Sequence, residues 1–251
     1  MNPNRRVTMP TPEVHLACTR TAHWSVADSE ELGRMLDAGE RDAARRFRFE
    51  SDRTAYVIAH AMLKALAARE CGLAPHAIEL CHDAKGRPFI AQEPQLHVSL
   101  SRSHDAVACA VTRAAPVGVD IEAKDGKPAD AGLLGAFVVT GEPVTTNQFY
   151  LQWTALEAFW KSCGTGLADG NPRIFCAPRS ASRFDVHLKR STGTCAGRGV
   201  IVHAYEDCAL AVVLRAPADP DFVLKRTNCA RAVDIHQLSR AHPAHERSFA
   251  T

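Results

Sequence analysis

The chain has 251 residues, 46% hydrophobic and 23% charged, with 30 Lys and Arg against 28 Asp and Glu and a formal net charge of +2. That length and apolar content suffice for a sizeable core, in one large domain or two small ones sharing an interface. The near-neutral balance excludes a global pull toward nucleic acid, and no run approaches the roughly 20 apolar residues of a membrane span.

Residues 1–11 show no periodicity and are expected to be poorly ordered. Helices are predicted over Asp28–Phe47 and Asp52–Cys71, the second ended by Gly72 and Pro75. Arg41, Arg45, Arg46, Arg48 and Arg53 cluster around the junction of these helices, which suits either a local anion site or a solvated helix face. Short strands are predicted at Ile78–Cys81, Leu96–Leu100 and Val107–Thr112. A strand at Val117–Ala123 opens the second half, followed by helical segments at Ala129–Val139 and Thr146–Cys163 and strands at Phe184–Leu188, Val200–Tyr205 and Ala209–Leu214. Residues 219–251 read as a less ordered tail with room for a short helix near Ala230–Arg240.

Helices precede short strands in both halves, so the pattern predicts an α+β protein with an N-terminal lobe over 1–116 and a C-terminal lobe over 117–218. No direct sequence repeat supports a duplication beyond this shared order. Nine cysteines, an odd number with no Cys-x-x-Cys pair, read as reduced thiols, and the start lacks the apolar core of a secretory signal. A cytoplasmic protein is the expectation.

In Gly118-Val119-Asp120-Ile121-Glu122, apolar and acidic residues alternate with the period of a strand, which places Asp120 and Glu122 on one face. In Trp153-Thr154-Ala155-Leu156-Glu157-Ala158-Phe159-Trp160-Lys161, Glu157 and Lys161 leave a helix four residues apart on one side. Either pair alone is more often a solvated sheet face or a weak surface ion pair. Asp120, Glu122 and Glu157 are nevertheless hard oxygen donors suited to Mg²⁺ or Mn²⁺, no His/Cys spacing competes for zinc, and no Gly-x-x-x-x-Gly-Lys loop is present.

Taken together, five motifs in order give the chain a resemblance to the 4′-phosphopantetheinyl transferase family, in its Sfp-type branch. They are Arg45–Arg53, Gly86-Arg87-Pro88-Phe89, His97-Val98-Ser99-Leu100-Ser101-Arg102-Ser103, the Gly118–Glu122 strand and the Trp153–Lys161 helix with its Gly164-Thr165-Gly166-Leu167 turn. The resemblance implies two related lobes, each of helices on a small antiparallel sheet, with the active site between them. It implies a Mg²⁺-dependent transfer of the 4′-phosphopantetheine arm of coenzyme A to a serine of an acyl- or peptidyl-carrier domain, releasing adenosine 3′,5′-bisphosphate. Asp120, Glu122 and Glu157 are then the metal ligands, Glu157 also the base, and Lys161 a phosphate contact. Arg46, Arg53, Arg87, Ser101, Arg102 and Ser103 become coenzyme A contacts, with Arg53 on the 3′-phosphate. Trp153 reads as a core residue that places its helix, and one chain per site is expected.

Two departures stand out. Arg102 occupies the place of the family's histidine, with His104 two positions later, and arginine can bind a phosphate but cannot donate a proton. Only 30 residues separate Glu122 from Trp153, so part of the family's carrier-binding surface is shortened. Phe137, Val138, Val139, Phe149 and Leu151 are candidates for an apolar carrier-facing surface or for simple core. Two rival readings stay open: a non-catalytic coenzyme A binder, and another metal-dependent phosphotransferase.

Overall fold

Two runs buried on both faces, Ala106–Thr112 and Cys208–Leu214, are central strands of two stacked sheets. The computed structural model describes residues 11–124, 145–164, 174–190, 193–215 and 221–240. In the first sheet the strand order is β11 (Val223–Asn228), β1 (Glu13–Arg20), β5 (Ala106–Thr112), β4 (His97–Ser103), with β1 and β11 parallel and the remaining pairs antiparallel. The second runs β6 (Val117–Ala123), β10 (Cys208–Leu214), β9 (Gly193–Ile201), β8 (Arg183–Arg190), β7 (Ile174–Pro178), all antiparallel. A hairpin of β2 (Leu80–His82) and β3 (Pro88–Ile90) stands apart from both.

These elements pack as four layers. Helix α3 (Glu50–Cys71) is buried around most of its circumference from Ala55 to Ala68 and covers Ala17, Val107, Cys109 and Val111 on the outer face of the first sheet. The inner faces meet through Leu16, Cys18, Ala108 and Ala110 on one side and Val119, Ile121, Leu210 and Val212 on the other. Helix α4 (Thr146–Cys163) then lays Leu156, Phe159 and Trp160 over Ala211 and Val213 on the outer face of the second sheet. The α+β class expected from the sequence is what this arrangement shows.

Local chemistry explains the boundaries. The predicted Asp28–Phe47 helix is two helices, α1 (Val26–Gly33) and α2 (Ala38–Arg45), because Ser25 with Asp28 and Asp37 with Glu40 each form a capping box that starts a new helix. Helix α4 keeps its predicted span, with Thr145 and Gln148 as the capping box and Gly164 at φ +64° closing its end. Strand β1 has no counterpart in the expected elements. The expected tail contributes two elements: β11 adds to β1, and α5 (Ala232–Leu238) places Ile235 and Leu238 in the α3 core. The predicted Val200–Tyr205 strand lies earlier, in β9, and the predicted Ala129–Val139 helix is outside the described residues. All nine cysteines are free thiols, and among the described residues no helix is long and apolar enough to cross a membrane.

Candidate functional site

Strands β4 and β6 are the facing edges of the two sheets, and serines couple them. The backbone N–H of Val119 donates to Ser99 Oγ at 3.1 Å and that of Ala123 to Ser103 Oγ at 3.2 Å. Ser101 Oγ donates to Asp120 Oδ1 at 2.8 Å, and Ser103 Oγ to Glu122 Oε2 at 2.7 Å. The alternation of β6 sends Val119 and Ile121 into the core between the sheets, which leaves Asp120 and Glu122 on the face toward α4.

Gly118 brings that helix close. A Cβ there would lie 1.8 Å from the carbonyl oxygen of Ala158 and 2.7 Å from the backbone nitrogen of Ser162, so only glycine lets α4 rest directly on β6. Lys161 Nζ consequently reaches Asp120 Oδ1 at 2.7 Å and Ser101 Oγ at 2.8 Å. Trp153 stacks against Phe149, with ring centroids 6.2 Å apart, and its indole also donates to Glu122. The expected core role of Trp153 is thus joined by a polar one.

The electrostatics are those of a site short of positive charge. Burial, then the negative charges of Asp120 and Glu122 against the opposing pull of Lys161, raises the Glu157 carboxyl from 4.5 to about 7. Burial also raises Glu122, although the Ser103 hydrogen bond opposes it. Asp120 is 3% exposed, and its Oδ2 is buried without a hydrogen-bond partner. An orphaned carboxylate oxygen beside two carboxyls held above their usual range is a donor set that fits a divalent cation. Among the described residues no three His, Cys, Asp or Glu side chains form a ready cluster around a metal, and the Lys161 ammonium pairs with Asp120 Oδ1. Oδ2 is the free oxygen, and Glu157 and Glu122 would complete the set around it.

Glu157 and Lys161 border a cleft of about 450 Å³ whose walls include Arg87, Arg102, Lys85, Tyr56 and His60. Arg87 comes from the β2–β3 hairpin and packs against Gly164, where an added Cβ would lie 3.2 Å from Arg87 Cδ. The Arg102 guanidinium lies over the rings of Phe47 and Tyr56, 5.6 and 5.5 Å from their centroids. Burial lowers the pKa of both guanidinium groups, with repulsion from Arg215 added at Arg87, so an anion in the cleft relieves both. The β4–β5 register pairs Arg102 with Val107, and His104 sits in the turn at φ +53°, so no slip brings His104 into the Arg102 position.

The structure therefore gathers Asp120, Glu122, Glu157, Lys161, Ser101 and Ser103 into one hydrogen-bonded and electrostatic unit, with Arg87 and Arg102 along the adjoining cleft. Arg46 and Arg53 are exposed, and Arg53 pairs with Glu50 at the start of α3. Neither lines the cleft. Sequence reading missed Tyr56 and His60. Their signal was one aromatic and one ionisable residue four apart in an otherwise apolar stretch of helix. A smaller cavity of about 240 Å³, lined by Lys124, Asn147 and Leu151 near the start of α4, contains none of Asp120, Glu122, Glu157 and Lys161.

Known proteins resemble this chain over part of its length. Residues 22–114 match the family model described as 4′-phosphopantetheinyl transferase, N-terminal. A 4′-phosphopantetheinyl transferase of Bacillus subtilis is 28% identical over 153 residues, covering 57% of this chain and 67% of that protein. The 4′-phosphopantetheinyl transferase psf-1 of Bacillus pumilus is 31% identical over 150 residues, covering 56% and 63%, and Sfp of Bacillus subtilis strain 168 is 25% identical over 153, covering 57% and 67%. The aligned part thus spans about two thirds of the length of the curated relatives it matches. With five ordered motifs and these matches, the chain is similar to 4′-phosphopantetheinyl transferases, Sfp-type proteins among them.

Proposed function

We propose that this protein transfers the 4′-phosphopantetheine arm of coenzyme A to a serine hydroxyl of an acyl- or peptidyl-carrier domain, releasing adenosine 3′,5′-bisphosphate. The observation that carries the reading is the junction of the Asp120–Glu122–Glu157–Lys161 group with a cleft whose walls carry Arg87, Arg102 and Lys85. A strip of cations ending at a carboxylate cluster suits a ligand with a long polyanionic part and a reacting phosphate at its end.

Asp120, Glu122 and Glu157 would hold a Mg²⁺ ion, which when bound supplies charge neutralisation at the pyrophosphate. Glu157, with its carboxyl near 7, is matched to accept the proton of the incoming serine as its oxygen bonds to phosphorus and the pyrophosphate oxygen leaves. Lys161 offers its ammonium to the same phosphate while Ser101 and Asp120 keep it oriented. Arg87 and Arg102 bind along the anion, Arg102 with its plane fixed by the two rings beneath it. Arg53 reaches a phosphate only by exchanging Glu50, which costs little because an exposed pair is worth about 0–1 kcal/mol. Arg46 would act at the same rim. The chain would work as a monomer in the cytoplasm, with lobes divided near residue 116.

Intact mass of an apo carrier domain, incubated with the protein, coenzyme A and Mg²⁺, tests the proposal. A gain of one phosphopantetheine arm, lost with EDTA, is the expected result. Measurable coenzyme A binding without any gain on several carriers would reduce the protein to a binder and sink the transferase reading.

A further inference from the structure

His60 is buried in helix α3 yet forms part of the cleft wall, and the reaction outlined above makes no use of it. Its Nδ1 lies 3.0 Å from Glu40 Oε1. Glu40 is itself buried, accepts from Lys64 Nζ at 2.5 Å and from the backbone N–H of Asp37 at 2.8 Å, and is held ionised with a pKa of about 2 despite the cost of burial. An ionised carboxylate can only accept, so Nδ1 carries the hydrogen in this pair and Nε2 is the nitrogen left for another partner. The ring is held a second time by Tyr56, stacked on it at a centroid distance of 3.9 Å, and Tyr56 in turn carries Arg102.

The charges around the imidazole do not balance when it is neutral. From α2 comes Glu40 and from its N-cap Asp37, both acidic, and from α3 comes Lys64, fully buried and within 3.7 Å of Asp37. Two negative charges thus face one positive charge, and a protonated His60 would close the difference. Across the cleft the facing groups are Arg102, Arg87, Lys85, His82, Lys161 and Glu157. Five of these six are cationic or can become so, which opposes an extra positive charge until an anion is present between them.

We propose that His60, oriented by Glu40, is a further anion-contacting residue of this cleft, which gains a proton at Nε2 and donates it to a phosphate oxygen when coenzyme A binds. This rests on the reading that the cleft takes coenzyme A. An imidazole aimed by a carboxylate thus comes from α3, beside the β4 position where Arg102 stands. Lys64 is a positioning residue here, since it acts only through Glu40.

The test uses wild type, His60→Gln, which keeps a donor toward Glu40, and His60→Phe, which keeps the stack on Tyr56 and removes both nitrogens. Coenzyme A binding is measured by calorimetry with EDTA present, in two buffers of different ionisation enthalpy, together with transfer kinetics and thermal melting. His60→Phe should raise Kd and the KM for coenzyme A at least about 10-fold with kcat within threefold, His60→Gln should fall between, and both should lose part of the proton uptake seen for wild type. If one variant fails to melt cooperatively, the other decides. Should both fail, proton uptake by wild type alone decides, and none across about pH 6 to 9 rejects the proposal. Wild-type affinity and proton uptake in a folded variant lacking the ring nitrogens would overturn it, as would a loss confined to His60→Gln, which would assign the effect to the stack. Wild type that neither binds coenzyme A nor modifies a carrier would instead remove the functional reading beneath it.

Discussion

Replacing Glu157 by Gln should stabilise the folded protein while removing its proposed activity. Below pH 4.5 the carboxyl is protonated in both the folded and the unfolded chain and contributes nothing to their difference. As pH rises from 4.5 toward about 7, the unfolded chain releases this proton first, so the folded state loses stability across that window. The interval, 7 − 4.5 = 2.5, taken at about 1.4 kcal/mol for each pH unit, corresponds to about 3 kcal/mol once pH exceeds 7. An amide of the same shape escapes that penalty. Urea unfolding at about pH 8 without divalent metal should therefore find Glu157→Gln more stable than wild type by about 3 kcal/mol, with the two converging near pH 4. Saturating Mg²⁺ should shrink the gap at pH 8 by satisfying the carboxylate. If the advantage of the variant were the same at pH 4 and pH 8, the account of a site short of positive charge would fail.

Gly118→Ala should drive α4 from β6, because its new methyl would sit 1.8 Å from the Ala158 carbonyl; a cost of about 1–3 kcal/mol in melting experiments and a rate loss of about 100-fold are expected, and wild-type turnover would contradict the packing argument. Asp120→Ala should lower transfer about 10²–10³-fold with a cooperative unfolding transition retained, as measured by carrier mass and circular dichroism. Near-normal turnover in that variant would remove Asp120 from the metal set. Arg102→His gives up a permanent cation held over Phe47 and Tyr56, so the KM for coenzyme A should rise about 10-fold, and an unchanged or lower KM would show that Arg102 does not bind the ligand.

What the sequence disclosed follows the reach of its signals. Helix α4 was legible at both ends because Thr145, Gln148 and Gly164 are local punctuation, and the α1–α2 break was missed although Ser25 and Asp37 carry the same kind of cap. Asp120, Glu122, Glu157 and Lys161 were legible because strand alternation and helical i,i+4 spacing fix which residues share a side. Strand β11 was not, since its sequence VLKRTN is mostly exposed and polar, and its partner β1 lies some 210 positions away, Glu13 against Val223. The same distance problem hid His60, whose meaning depends on Glu40 from another helix and on Arg102 from a strand. Local patterns report a face; they do not report what is laid against it.

The parallel pairing of β11 with β1 also governs the order in which this molecule can be completed. The partner of Cys18 is Asn228, so during synthesis β1 remains an open strand edge until residue 228 has emerged. For that interval the unpaired N–H and C=O groups of β1 are available to other chains, and α5, which covers part of the α3 core, is missing as well. Translation rate through residues 223–228, and any truncation before residue 223, thereby become determinants of solubility for a protein whose candidate site adjoins the opposite edge of the same sheet.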